Sequence, residues 1–411
     1  MKTKLLLFVT TLLMTAMSAK ADNVLYGVVD GTTMTLNYGD ESSMPSGAVK
    51  YTGQGWNNAF ENDITIAVVD ANCSASTLTD ISYLFEDMRN MTTITGLSNL
   101  RTDDVTDISG LFAYCEKLTS LDLSSFNTSK VTSMHDMFYS CQNLTSLDVS
   151  TFNTAEVTRM DWMFGQCFAC KSIVVGDGWN TDAVTQSEKM FTSSNALVGE
   201  DGTTFNSSVV DKTNAHTGVG GYLTKKSVTV AANTVGSDNW ATYYKSNVNR
   251  QADANTTVYT AAVSGDKMTL TEISDKIIEA GQAVILKSSA ASITLTSTID
   301  DATGDFTGNV LEGVDVATAQ ASGNTYYVLG NGSAGIGFYK YTGTLSANKS
   351  FYKVAAGSRE YFTIEGFSTG IQEMEAVSSK KADVYYDLSG RRLAQPKKGV
   401  NIVNGKLVII K

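Results

Sequence analysis

The chain has 411 residues, of which two are proline and five are cysteine, and its formal net charge is −11. An acidic chain repels phosphate backbones, which argues against nucleic-acid binding. An odd number of cysteines cannot pair completely within one chain. The richness in Thr, Ser, Gly, Val and Tyr is typical of a strand-dominated exported protein, and the length allows two or three domains.

Residues 1–21 predict a secretory signal peptide. Two lysines precede a short apolar run, and Ala19-Lys20-Ala21 forms a small-x-small cleavage site before Asp22. This run is too short to span a membrane, and no later stretch is long and apolar enough to do so. We therefore expect an exported protein, either secreted or associated with the cell surface or outer membrane. Cleavage removes three lysines and no acid, so the net charge falls to −14.

Residues 22–77 predict a small β domain. Asp30-Gly31 stands between two strand-like runs, residues 24–29 and 32–38, which is a strong hairpin signal. A further strand-like run, residues 64–69, leads towards the next region. That region is repetitive, and the open end of a repeat stack exposes apolar side chains. We expect residues 22–77 to cover that end.

Residues 78–224 contain a repeat with a period of 26 residues, clearest from Leu118 to Asn143. A fixed period of this size indicates a solenoid, in which each unit buries its apolar face against its neighbours. About five coils align. The apolar position that opens each coil is Leu78, Val105, Val131, Val157 and Val184, and a small position ten residues later is Met88, Cys115, Cys141, Cys167 and Ser194.

Two periodicities occur within each unit. The apolar residues from Val131 to Cys141 recur at helical spacing, which predicts a short helix, and Thr132 is placed to cap its N-terminus. Leu121 and Leu123 alternate with polar residues, which predicts a short strand. Each coil is therefore expected to give one strand and one helix. Stacked coils would form a parallel sheet, as leucine-rich repeats do.

The full motif is C-x-x-L-x-x-L-x-L followed by V-x-x-M-x-x-M-F-x-x-C, and it is clearest over residues 115–143 and 141–171. With the Phe-Asn-Thr signatures at 126–128 and 152–154, it resembles the BspA-type (Treponema-like) leucine-rich repeat. That repeat occurs in surface proteins of the Bacteroidetes and other host-associated microbes, and its Met-Phe-x-x-Cys version has no known function. Residues 197–224 resemble the closing cap of that family. The resemblance implies a surface-exposed interaction or adhesion protein and no enzymatic activity.

The rest of the chain is also predicted to be β. Residues 225–369 contain short strands between Gly, Asn, Ser and Asp turns, which favours a β-sandwich, and they resemble an accessory domain of secreted Bacteroidetes proteins. Residues 370–411 form a basic tail in which Asn404-Gly405 predicts a hairpin. The tail resembles C-terminal modules related to type IX secretion sorting domains, although Asn401 replaces the usual aromatic residue. The expected fold is mostly β with short helices. It is a leucine-rich-repeat solenoid flanked by an N-terminal β cap, a C-terminal β-sandwich and a small β tail.

The cysteines have a chemical and a structural interpretation. Cys115, Cys141 and Cys167 occupy equivalent positions of adjacent coils, where they could bind a metal, form a disulfide between coils or fill a small buried slot. Cys167 and Cys170 have zinc or redox spacing, but no second pair accompanies them. We favour packing for both sets, and the state of Cys73 stays open.

Other candidate sites also have simpler interpretations. His135 and His216 are too few for a triad or a histidine metal site, and His135 is predicted to be a solvated surface residue. Residues 330–335 match G-x-G-x-x-G, but a strand follows instead of a helix, so we predict a hairpin loop. Acidic side chains near Gly304 lack EF-hand spacing and are more simply a solvated loop than a calcium site; they are Asp300, Asp301 and Asp305. The sequence thus predicts no catalytic residues, no metal and no cofactor.

The outward face of the repeat strands is the predicted binding surface for proteins or glycans of a cell surface. Asp122 and Asp148 should lie on adjacent strands, where their like charges favour a nearby cation or basic partner. The alternative is a non-catalytic carbohydrate-binding accessory protein that acts through residues 225–369. An enzyme would require convergent carboxylates in a cleft of that β domain. The residues of the predicted face are Ser120, Asp122, Ser124, Ser146, Asp148 and Ser150.

Overall fold

The computed structural model describes residues 23–53, 55–56, 63–235, 237–298, 302–332, 335–355 and 359–365, and the backbone of residues 385–386, 392–393, 399–403 and 406–410. The predicted signal peptide and the aspartates at 300 and 301 lie outside these residues. The described chain is mostly β. It divides into two compact units between Lys226 and Ser227. Its helices are four short 3-10 turns, Glu41–Ser43, Ala71–Ala75, Leu97–Asn99 and Lys212–Asn214.

The first unit begins with a five-stranded sheet. Its strands are β1 (Asn23–Asp30), β2 (Thr33–Asp40), β3 (Val49–Lys50), β4 (Ile66–Val69) and β5 (Thr93–Thr95), in the order β3-β1-β2-β4-β5. The predicted Asp-Gly hairpin is present, because β1 and β2 pair antiparallel with Asp30 opposite Thr33. From β2 the sheet continues in parallel through β4 to β5. β5 lies beyond Leu78, so the sheet connects the N-terminal region to the repeats.

Successive repeats stack through parallel bridges between equivalent residues. Phenylalanines at one repeat position form a column inside the stack, with neighbouring ring centroids 5.5 to 5.9 Å apart. Their planes are close to parallel, and all of these rings are buried. The bridged residues are Asp80, Asp107, Ser133, Arg159 and Gln186. The stacked phenylalanines are Phe85, Phe112, Phe138, Phe164 and Phe191.

The predicted helices within the repeats are wrong: the described chain has turns there. In the third repeat the N–H groups of Met134, Asp136 and Phe138 donate to carbonyls of the next repeat. The N–H groups of Met137 and Tyr139 close turns onto the carbonyls three residues back, those of Met134 and Asp136. Two residues per repeat adopt left-handed backbone, namely Tyr83 and Asp87, Gly110 and Tyr114, Asp136 and Ser140, Trp162 and Gln166, and Lys189 and Ser193. A chain of turns also brings an apolar side chain inward every three to four residues, so its pattern mimics that of a helix.

Thr132 is not a helix cap, which corrects a second prediction. Its N–H and its hydroxyl both donate to the carbonyl of Thr106, at 2.8 and 3.1 Å. Thr158 contacts the carbonyl of Thr132 in the same way, and Thr185 repeats the contact with Thr158. The threonine column therefore holds successive repeats together.

The strand predicted in each repeat is present only in part. β6 (Ser146–Val149), β7 (Ser172–Val175) and β8 (Thr224–Lys225) form a parallel three-stranded sheet. Leu121 to Leu123 belong to no strand, although Leu123 is buried as the alternation predicted. After the repeats, buried Tyr222 packs its ring edge against Phe191 and ends the column of rings.

The second unit contains a ten-stranded and a four-stranded sheet. Their facing sides share a core that includes Val258 and Leu286 from the larger sheet and Ile293 and Leu295 from the smaller one. The larger sheet curls, because β10 also contacts β19 and β11 also contacts β21. Its order is β10-β11-β16-β13-β14-β22-β20-β19-β21-β18, and that of the smaller sheet is β15-β12-β17-β9. The strands are β9 (Ser227–Ala231), β10 (Asn233–Val235), β11 (Asp238–Tyr243), β12 (Arg250–Ala252), β13 (Thr256–Ser264), β14 (Lys267–Ile273), β15 (Ile277–Ile278), β16 (Val284–Ser288), β17 (Ser292–Ser297), β18 (Leu311–Val314), β19 (Asn324–Gly332), β20 (Gly335–Tyr341), β21 (Lys349–Ala355) and β22 (Tyr361–Ile364).

Two sequence motifs of this half are hairpins. The G-x-G-x-x-G stretch joins antiparallel β19 and β20, with Gly332 opposite Gly335, so a strand follows it and not a helix. Near the C-terminus, β23 (Tyr385–Tyr386), β24 (Arg392–Leu393), β25 (Gly399–Val403) and β26 (Lys406–Ile410) form a four-stranded sheet. β25 and β26 are antiparallel, with Val403 opposite Lys406. The Asn404-Gly405 turn itself lies outside the described residues.

Candidate functional site

The predicted polar face lies on the surface of the stack. Ser120, Asp122, Ser124 and Asp148 are exposed, and Ser146 and Ser150 are partly exposed. The carboxylate of Asp122 accepts a hydrogen bond from the N–H of Ser124 at 3.0 Å, and that of Asp148 accepts one from the N–H of Ser150 at the same distance. Each carboxylate therefore closes its own turn.

The basic partner expected beside the two aspartates comes from the chain itself. Lys226 places its Nζ 2.7 Å from Oδ2 of Asp148. Burial raises the pKa of Asp148, but its hydrogen bonds with Lys226 and Ser150 outweigh this and lower it. Hydrogen bonds from Ser124 lower the pKa of Asp122, although the charge of Asp148 acts in the opposite direction. Both carboxylates are thus ionised at neutral pH and already engaged.

The cysteine column belongs to the core and has a further structural role. The thiol of Cys141 donates to the carbonyl of Phe112, one repeat earlier, at 3.1 Å. Cys115 and Cys167 make the same contact with the preceding repeat, and the hydroxyl of Ser194 replaces the thiol in the last one. From the second repeat to the last, the position thus holds a small side chain that donates a hydrogen bond to the preceding repeat, whereas buried Met88 fills it in the first repeat.

Nothing activates these thiols. All five cysteines are free and buried. Burial raises the pKa of Cys73 and of Cys170 to about 12, and it raises the pKa values of the three column cysteines as well. A buried thiol that stays protonated is a poor nucleophile and a poor metal ligand. Among the described residues, no three His, Cys, Asp or Glu side chains are placed to hold a metal ion.

The most distinctive surface of the stack was not predicted. We call it the aromatic row: Arg89, Tyr114, Tyr139, Trp162 and Lys189, one residue from each of five successive repeats. The ring centroids of Tyr114 and Tyr139 are 5.2 Å apart, and those of Tyr139 and Trp162 are 5.3 Å apart, both edge to face. Arg89 lies 4.8 Å from the centroid of Tyr114, and Lys189 lies 4.4 Å from that of Trp162. The three rings are partly exposed.

Glycine makes room for one of these rings. A Cβ on Gly165 would lie 3.0 Å from the ring of Tyr139, which is one repeat earlier. Gln166 also donates from its side-chain amide to the hydroxyl of Tyr139 at 2.6 Å. Tyr83 and Gly110 repeat the arrangement at the start of the stack, where a Cβ on the glycine would overlap the ring. The sequence carries a signal for this arrangement. An aromatic residue lies outside the core positions of one repeat, and a glycine lies at or near the equivalent position of the next repeat.

A charged cluster adjoins the row. Nε2 of His135 is 2.8 Å from Oδ2 of Asp136, and Nδ1 is 2.7 Å from Oδ2 of Asp161 in the next repeat. Arg159 donates to Asp161 at 2.8 Å. The pKa of the Tyr114 phenol is raised, first by burial and then by Tyr139. The charge of nearby Asp136 raises it further.

His135 is therefore not a solvated surface residue, which corrects the prediction. Its side chain is only 16% exposed. Burial lowers its pKa, but the hydrogen bond to Asp136 and the charges of Asp136 and Asp161 outweigh burial, so the pKa lies above its ordinary value. The ring joins two repeats, because a protonated imidazole can donate to both carboxylates at once.

Comparisons with known proteins give a family match over part of the chain but no function. Residues 74–215 match the sequence model of a family described as "Mycoplasma protein of unknown function, DUF285". No curated protein matches the chain. No solved structure matches it either. In the described part of the chain, no helix is both long and apolar enough to cross a membrane.

Proposed function

We propose that the protein is an exported, non-catalytic interaction protein that binds macromolecules of a cell surface through its repeats. The observation that carries this proposal is the aromatic row. The repeats use their Met, Phe and Cys side chains to fill the core, yet three partly exposed rings and two cations cross the outside of the stack. Tyr, Trp and Arg are the side chains that most often dominate binding energies at interfaces.

We further propose that the stack is a leucine-rich-repeat solenoid of about five coils, of the BspA type. The repeat motif and the parallel bridges between equivalent residues support this. The apolar run and cleavage site at the N-terminus support export. Solenoids offer extended surfaces for binding, since each coil adds one more row of outward side chains.

The polar face is a second candidate surface on the same stack. The substitution Asp122→Lys combined with Asp148→Lys reverses its charge, and the paired change to Asn is the matched neutral control. Binding of the labelled chain to matrix proteins and to microbial cells is then measured. A loss of binding in the Lys pair alone would place the contact on this face, and unchanged binding would exclude the face.

The alternative function, carbohydrate binding through residues 225–369, also has a structural basis. The rings of Tyr339 and Tyr361 are 5.7 Å apart, and Tyr361 is 41% exposed. Tyr361→Ala removes the exposed ring. If this substitution abolished glycan binding while variants in the repeats did not, the alternative would replace the proposal above.

A further inference from the structure

The rings of the aromatic row are held rigidly before any ligand arrives. Tyr139 is fixed edge to face between Tyr114 and Trp162, with interplanar angles of 87° on both sides. Cations held over the outer rings add to this order. Rigid aromatic side chains provide a large contact area at a low cost in conformational entropy. The aromatic row is therefore suited to bind a ligand, in addition to packing between the repeats.

Two arginines at or beside the row, Arg89 and Arg159, are paired with carboxylates of the protein. Arg89 bonds to Asp87 at 2.6 Å and to Glu116 at 2.5 Å. In the adjoining cluster, Arg159 bonds to Asp161, whose other oxygen contacts His135. A polyanion would have to compete with these carboxylates for the same cations. The pairing therefore favours a ligand without net charge.

The apolar character of this surface comes from rings rather than from aliphatic side chains. Among the described residues of the repeat region 78–224, the strongly exposed large apolar side chains are Phe168 and, in the closing cap, Val219. The Leu, Val, Ile and Met side chains at the repeat positions are buried, except that Leu78 and Leu121 are partly buried against the same core. Protein partners usually require a continuous apolar centre in the contact area. A sugar instead stacks its C–H groups on an aromatic face and offers its hydroxyls to neighbouring carboxylates and amides.

We propose that the aromatic row binds an extended, neutral glycan. This inference rests on the proposed function and names its ligand class. Sugar C–H groups stack on Tyr139 and Trp162, because the negative faces of aromatic rings attract the weakly positive hydrogens. Hydroxyls then hydrogen-bond to the oriented side chains of Asp136, Glu116 and Gln166. A row that crosses five repeats accommodates several consecutive sugars.

Calorimetric titration of the full chain from Asp22 tests the proposal. The probes are soluble β-glucan, galactomannan, xylan and arabinogalactan, with heparin as a polyanionic comparison. We expect the wild-type chain to bind at least one neutral polysaccharide. Trp162→Ala should weaken that binding roughly tenfold or more, as expected for a central contact residue. Trp162→Phe keeps a ring and should retain most of the affinity.

The matched control is Phe168→Ala, which removes an exposed ring of the repeats outside the aromatic row and should leave the affinity unchanged. Thermal unfolding of each variant confirms that it is folded before it is titrated. Equal affinity of Trp162→Ala and wild type, or binding of heparin alone, would overturn the proposal.

The proposed function can fail separately. In one outcome the chain binds a protein ligand but no polysaccharide, and the Asp122→Lys and Asp148→Lys pair loses the protein ligand. That outcome would overturn the glycan inference and leave the proposed function standing. Failure of the chain to bind polysaccharides, matrix proteins and cells would overturn both.

Discussion

Cys141 combines packing with hydrogen bonding at a single position. Its thiol is fully buried in the column between Cys115 and Cys167, and it donates to the carbonyl of Phe112. That carbonyl also accepts from the N–H of Cys115, so both of its lone pairs are used. Ser194 at the same position of the last repeat keeps this hydrogen bond without the sulfur.

The stability of variants at Cys141 should follow the hydrogen bond. Cys141→Ser keeps the donor and is expected to change the free energy of unfolding by less than about 1 kcal/mol, whereas Cys141→Ala removes the donor and should cost about 1 to 2 kcal/mol. Urea unfolding measured by circular dichroism gives both values. An Ala variant as stable as wild type would show that the thiol contact contributes nothing.

His135 makes the stability of the repeats depend on pH. Its pKa is raised in the folded chain, so the folded state binds the proton more tightly than the unfolded state does. The stabilisation is therefore fully present below the unfolded pKa of about 6.5 and is lost as pH rises through the folded pKa. His135→Gln should remove this part of the pH dependence.

The measurement is the free energy of unfolding of both proteins at about pH 5.5 and about pH 8.5, on either side of the titration. The deficit of His135→Gln relative to wild type should be larger at the lower pH. His216→Gln, at the exposed second histidine, is the control and should behave as wild type. A deficit independent of pH would mean that His135 acts only through packing.

At the scale of the element, the repeat is a chain of turns whose hydrogen bonds alternate between neighbours in sequence and neighbours in the stack. Two residues in each repeat have left-handed backbone, and most of them are not glycine. This conformation costs roughly 1 kcal/mol for a residue with a Cβ. The cross-repeat bonds of the adjacent residues compensate for this cost.

Glycine substitutions should therefore have opposite effects at two serines. Ser193 has a φ of 61°, so Ser193→Gly should raise the free energy of unfolding by up to about 1 kcal/mol. Ser129 is an exposed loop residue outside the left-handed set, and Ser129→Gly should lower it by about 0.5 to 1 kcal/mol. Chemical unfolding of the two variants and of wild type gives the sign of each change in the free energy of unfolding. The same sign of change at both sites would contradict the turn geometry.

At the scale of the whole molecule, the sequence predicted the parts of the fold that depend on local pattern. The hairpin at Asp30-Gly31, the buried columns of the repeats and the strand after the glycine-rich stretch are all present. Turns and a helix could not be distinguished, because both place an apolar side chain inward every three to four residues. The difference lies in hydrogen bonds between repeats, which a single repeat does not reveal.

The candidate site was harder to predict than the core. Tyr114, Tyr139 and Trp162 occupy three different positions of the repeat, so aligning equivalent residues does not bring them together. Their proximity depends on the stacking of the repeats and on the space left by Gly165. The polar face, by contrast, follows from simple alternation and was assigned from the sequence, but its aspartates are engaged in local contacts.

The central claim is that the outer surface of the repeats, and not the cysteine column, carries the function. The most direct measurement is the affinity of one neutral polysaccharide for three folded proteins: wild type, Trp162→Ala and Cys141→Ser. The account predicts that Cys141→Ser binds as wild type does and that Trp162→Ala weakens the binding roughly tenfold or more. Loss of binding in Cys141→Ser with full binding in Trp162→Ala would contradict it.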